Sequence, residues 1–84
     1  MRDLKIEIEE RILAALPDAY VIVRDPLNDN AHFDATVVSE VFVGMPLAKQ
    51  HRLVMQALKD LFASDVHALS LKTQTPEKWA DTQE

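Results

Sequence analysis

The feature that most constrains this chain is a change of hydrophobic period near its C-terminal end. Across residues 47–62, Leu47, His51, Val54, Leu58 and Leu61 recur at steps of 4, 3, 4 and 3, which is the spacing of one helix face. Lys49, Gln50, Arg52, Gln56, Lys59 and Asp60 fall off that stripe. Immediately afterwards, residues 66–73 ("VHALSLKT") alternate: His67, Leu69 and Leu71 point one way, Ala68, Ser70 and Lys72 the other. Alternation is the mark of a half-buried strand. A helix feeding directly into a strand calls for a layered α/β arrangement.

The N-terminal half supplies the rest of the layers. Residues 3–16 place Leu4, Ile8, Ile12 and Ala15/Leu16 at helical spacing, with Glu7, Glu10 and Arg11 outward. Asp3 is suited to cap that helix, and Pro17-Asp18 to end it. Residues 19–25 ("AYVIVRD") and 32–40 ("HFDATVVSE") are rich in β-branched and aromatic residues and flank the turn-forming "PLNDNA", so they predict an antiparallel hairpin. Gly44 and Pro46 separate the second strand from the helix over 47–62. Thr75 caps a short last helix, with Pro76 at its first position and Glu77 beside the positive end of its dipole. A helical crossover between strands two and three is right-handed and sets them parallel. The expected fold is a small two-layer α/β sandwich, with a three-stranded mixed sheet and helices on one face. Leu4, Ile8, Ile12, Leu47, Val54, Leu58, Leu61 and Leu69 are its expected core, and Trp79 is expected to cap it.

Composition narrows the function. With 84 residues, the chain is one domain, 1–84. It has no cysteine, which excludes a disulfide framework, a thiolate metal site of its own and a cysteine nucleophile. Fourteen acids against nine bases leave a net charge of −5, unfavourable for a phosphate backbone. No apolar run reaches the roughly 20 residues of a membrane span. The opening "MRDLKIEIEE" is too acidic and too regular for a leader peptide. A reducing, cytoplasmic setting is the expectation. No nucleophile–base set, paired-acid site or phosphate loop stands out, so the chain does not read as an enzyme.

Several stretches in a fixed order resemble the BolA-like family: a His-Phe pair opening strand two, "VVSEVFVGM", "HRLVMQAL", "VHALSLKTQTP", and a Trp three residues after that proline. The resemblance implies a fold similar to the second class of KH domain, with the long helix broken in two (α-β-β-α-α-β-α). It also implies a monothiol glutaredoxin as partner. With that partner and its glutathione, members share a two-iron, two-sulfur (2Fe-2S) cluster tied to iron homeostasis and cluster trafficking; some members are described as transcription regulators. Alone, the chain is expected to be a monomer or weak homodimer. Two departures stand out. Many members have Arg-His-Arg where this chain has Gln50-His51-Arg52, and the loop "DPLNDNA" lacks the Cys or extra His that some subgroups carry there.

The three histidines then sort as follows. His67 heads the third strand and corresponds to the family's metal-binding histidine, so the resemblance implies an iron ligand, the alternative being a partly buried imidazole bonded to a backbone carbonyl; imidazoles replacing thiolates on one iron of such a cluster raise its potential. His32 opens strand two beside the loop and is the nearest substitute for the missing loop ligand, the alternative being a surface histidine. His51 lies within the apolar stripe and reads as a core residue bonded through one ring nitrogen, the alternative under a KH-like reading being a residue that shapes a binding groove. Lys49, Arg52 and Lys59 form a small basic patch, either a solvated face or a surface for a partner or DNA. "VGMP" stands where a KH domain has Gly-x-x-Gly, and one glycine cannot make that clamp.

Overall fold

A computed structural model of the chain describes residues 3–64 and 68–82. It contains helix α1 (Leu4–Ala15), strands β1 (Tyr20–Arg24) and β2 (His32–Val38), a 3-10 turn (Glu40–Phe42), helices α2 (Leu47–Ala57) and α3 (Lys59–Ser64), strand β3 (Ala68–Gln74) and helix α4 (Pro76–Thr82). The sheet order is β1-β2-β3. β1 and β2 are antiparallel, Tyr20 facing Val38 and Arg24 facing Asp34. β2 and β3 are parallel, from His32 beside Ala68 to Val38 beside Gln74. This is the mixed sheet the crossover argument predicts. Among the described residues, no helix is long and apolar enough to cross a membrane.

The caps act as the sequence implies. The Asp3 carboxylate accepts the Lys5 N–H at 3.0 Å, and the Thr75 hydroxyl accepts the Lys78 N–H at 3.2 Å, each satisfying a donor that a helix start leaves without an intrahelical partner. α1 buries Leu4, Ile8 and Ile12 and hands over to buried Leu16, while Ala15 is exposed. These side chains meet Phe33 and Val37 of β2, then Phe42, Val54, Leu58 and Leu61. Val21, Val23, Leu69 and Leu71 are half-buried against this cluster.

α2 departs from its expected orientation. Leu47 is 60% exposed, whereas Gln50, expected outside, is buried. The buried line therefore runs Gln50, Val54, Leu58 and Leu61, and His51 stands half-buried at its margin instead of in its middle. The reason is polar. Gln50 Nε2 donates to the Met45 carbonyl at 2.7 Å, with a longer contact of 3.5 Å to the Phe42 carbonyl. Its Oε1 accepts the Thr73 hydroxyl at 2.7 Å. A buried amide with its donors and acceptor satisfied is tolerated in a core.

The long helix is indeed broken in two, at Leu58. This residue has φ −102° and ψ 5°; its N–H bonds to the Met55 carbonyl at 3.2 Å, and its own carbonyl starts α3 by accepting from Leu61 and Phe62. Its side chain is fully buried and pins the corner. Gly44 has φ +75° and open space where a Cβ would stand, so its turn needs glycine for conformation, not for room. Trp79 does not join the buried cluster. Its ring meets Tyr20, centroids 5.8 Å apart. By strand alternation Tyr20 stands on the opposite sheet face from Val21 and Val23.

Candidate functional site

Strand β2 opens with His32 out of a loop whose backbone is held by its own carboxylates. Asp25 Oδ1 accepts the Asp29 N–H at 3.1 Å, and Oδ2 accepts that of Asn30 at 2.9 Å. Asn28 and Asn30 take left-handed φ values of 54° and 56°, which asparagine tolerates better than most residues. The Asn30 side-chain oxygen accepts the Leu4 N–H at 3.3 Å, tying the loop to the start of α1. The Ala31 carbonyl accepts the Ala68 N–H at 3.3 Å, joining the loop to β3.

At the centre is Asp29. Its Oδ1 accepts the N–H groups of Ala31 and His32 at 3.0 and 3.1 Å, and its Oδ2 lies 2.7 Å from His32 Nδ1. The hydrogen bond from the imidazole, followed by that from the His32 backbone, draws the Asp29 carboxyl down to about 2. His32 remains accessible, its side chain 48% exposed. A carboxylate can only accept, so this contact is a hydrogen bond when Nδ1 of the ring carries a proton. A carboxylate behind one ring nitrogen is the usual support of a metal-binding histidine. Sequence reading identified His32 and missed Asp29; the signal was an acid three residues before it in a turn-forming loop.

Ala68, which follows His67 in the chain, is the register partner of His32. His67 itself lies outside the described residues. Among those described, no group of three or more His, Asp or Glu side chains is arranged to hold a metal ion. What the described site offers is one oriented imidazole at the head of a strand.

The basic residues come together across the helix break. Lys49 and Arg52 flank a shallow apolar hollow lined by Met45, Leu53 and Gln56. Arg52 and Gln56 continue into a second, with Met55, Phe62 and Lys59. All three cations are exposed, and the shared Arg52 and Gln56 make the two hollows neighbours in a shallow groove along α2 and α3. On the far face of the sheet, Arg24, Asp34, Thr36, Ser70 and Lys72 line a separate polar depression that sequence reading did not single out.

Comparison with known proteins agrees with the fold and the motifs. The family model described as "BolA-like protein" matches residues 17–78. The "DNA-binding transcriptional regulator BolA" of Vibrio cholerae is 44% identical over 54 residues, 64% of this chain. The match spans 51% of that protein, about half its length. Among solved structures, BolA1 from Arabidopsis thaliana superposes with a TM-score of 0.83 at 29% identity, covering 93% of this chain and 98% of that one. The BolA domain of SufE1 from the same plant gives 0.80 at 30% identity, with 93% and 98% covered.

Proposed function

Because this chain belongs to the BolA-like family, we propose that it is an iron–sulfur adaptor: it binds a monothiol glutaredoxin and contributes His67 and His32 to a 2Fe-2S cluster bridging the two proteins. The partner supplies its cysteine thiolate and the thiolate of its glutathione, which suits a chain with no cysteine. Its role would lie in cluster trafficking or iron homeostasis, without catalysis. The observation that carries this reading is the 2.7 Å contact between His32 Nδ1 and Asp29 Oδ2, because it orients an accessible imidazole as a ligand needs to be oriented. A bound cluster would supply an exchangeable or redox-active iron pair. This chain's own part, as far as the described residues go, is to hold the His32 imidazole at the head of β2, where the backbone on the strand side is fixed.

Anaerobic reconstitution with a monothiol glutaredoxin, iron, sulfide and glutathione tests the reading. A new absorption and circular dichroism spectrum that depends on this chain is expected. His67→Ala should remove the histidine nitrogen signature from the cluster while leaving the fold intact, and His32→Ala should alter the same cluster more mildly. A His67→Ala cluster indistinguishable from the parent overturns the assignment.

A second reading, a KH-like transcription regulator that binds nucleic acid, is favoured by the groove edged by Lys49, Arg52 and Lys59 and by the name of the Vibrio cholerae relative. The net charge of −5 and the single glycine in "VGMP" weigh against it.

A further inference from the structure

We propose that Asp29 is the positioning residue of this site: it fixes the neutral His32 imidazole as the Nδ1–H tautomer, so that His32 presents Nε2, and only Nε2, to a metal. The ligand half of this statement rests on the function proposed above; the tautomer half concerns the isolated chain alone.

The geometry is directional. An exposed histidine–carboxylate pair is ordinarily worth little, because both side chains must give up rotational freedom to meet. Here much of that freedom is already gone on one side. Asp29 Oδ1 is engaged by the N–H groups of Ala31 and His32, which sets the carboxylate plane and turns Oδ2 toward the imidazole, 2.7 Å away. The backbone N–H groups of Asp29 and Asn30 are themselves anchored on Asp25. The loop thus positions the acceptor independently of the ring. Histidine in water carries its neutral-form proton mainly on Nε2, the wrong nitrogen for a ligand that must coordinate through that atom. Asp29 reverses this preference. It also prevents a ring flip that would offer Nδ1 instead, since only the observed ring orientation leaves an N–H facing Oδ2.

An isosteric change reads the proposal out. In Asp29→Asn the side-chain oxygen can still accept from Ala31 and His32, while the amide nitrogen takes the place of Oδ2 and becomes a donor. The proton on the neutral imidazole should then move from Nδ1 to Nε2. Long-range proton–nitrogen NMR of the isolated, labelled chain measures this directly, with the ring followed to its neutral limit. In the parent, Nδ1 should show the shift of a protonated nitrogen and Nε2 that of an unprotonated one; in Asp29→Asn the two should exchange places, with the Ala31 and His32 amide signals showing that the loop is retained. Asp29→Ala, which removes the acceptor altogether, should return the ring to the Nε2–H form. A parent protein already mainly Nε2–H, or identical ring shifts in parent and Asp29→Asn, overturns the positioning role. The same variants carried into the glutaredoxin-bound cluster separate the two halves. Loss of the His32 nitrogen coupling in Asp29→Asn supports both. An inverted tautomer with an unchanged cluster overturns His32 as a ligand and leaves Asp29 as the group that sets its proton.

Discussion

Gln50 and Thr73, 23 residues apart, join their side chains inside the core, the Thr73 hydroxyl donating to Gln50 Oε1 at 2.7 Å. The same glutamine reaches back to the Met45 carbonyl beside the Gly44 turn. One side chain therefore ties together the turn after β2, helix α2 and strand β3. Thr73→Val keeps the shape but leaves the Gln50 oxygen without its partner in a buried place. Denaturant unfolding should show a loss of about 1–3 kcal/mol, the cost of stranding a buried polar group. No measurable change would mean that the network contributes nothing to holding α2 in its orientation.

Leu58 occupies the corner between α2 and α3 and is fully buried. Leu58→Ala should cost about 2–5 kcal/mol, as truncation of a core leucine does. Leu47→Ala, at an exposed position of the same apparent stripe, should change stability by no more than about 0.5 kcal/mol. Equal losses at the two sites would contradict the rotation of α2 described above.

The Asp29 carboxyl is held at about 2, below its ordinary 3.8. Its folded form resists protonation, so the loop contacts it makes are fully present above the ordinary value and are lost as the pH falls through about 2. Carbon NMR of the side-chain carboxyl should show a titration in that acid range. In His32→Ala the midpoint should rise, because the imidazole is the first cause of the depression, but the hydrogen bonds from the Ala31 and His32 backbones should keep it below the ordinary value. A parent Asp29 that titrates like an isolated carboxyl would remove the basis for a fixed imidazole.

The groove along α2 and α3 offers three cations against a chain of net charge −5. No sequence-selective duplex binding is expected at physiological salt. A binding titration that reached the range of about 10⁻⁸–10⁻¹¹ M typical of specific DNA complexes would promote the regulator reading. Lys49→Gln, Arg52→Gln and Lys59→Gln would then each lower affinity and flatten its salt dependence.

Much of this molecule was legible in one dimension. The steps of Leu4, Ile8 and Ile12 and the alternation of Leu69 and Leu71 follow from backbone geometry, which repeats every 3.6 residues in a helix and every 2 in a strand; apolar side chains recurring at those periods can be buried together only one way. The caps at Asp3 and Thr75 are local for the same reason, since donor and acceptor lie within three residues of one another. His32 and the basic residues Lys49, Arg52 and Lys59 could be picked out by residue type and position, but not the parts they play. What pattern could not supply was any choice that depends on a partner far along the chain. Gln50 enters the core and Leu47 leaves it because Thr73 and the Met45 carbonyl satisfy an amide that periodicity counts as a surface group. Trp79 finds Tyr20 on the outer sheet face only because the strand register puts Tyr20 there. Asp29 lies just three residues from His32, yet its role depends on the loop fold, which Asp25 and two left-handed asparagines impose. Apolar burial is non-directional and can be read from spacing; a hydrogen bond demands a particular atom at a particular place, and only the folded chain decides where that atom is.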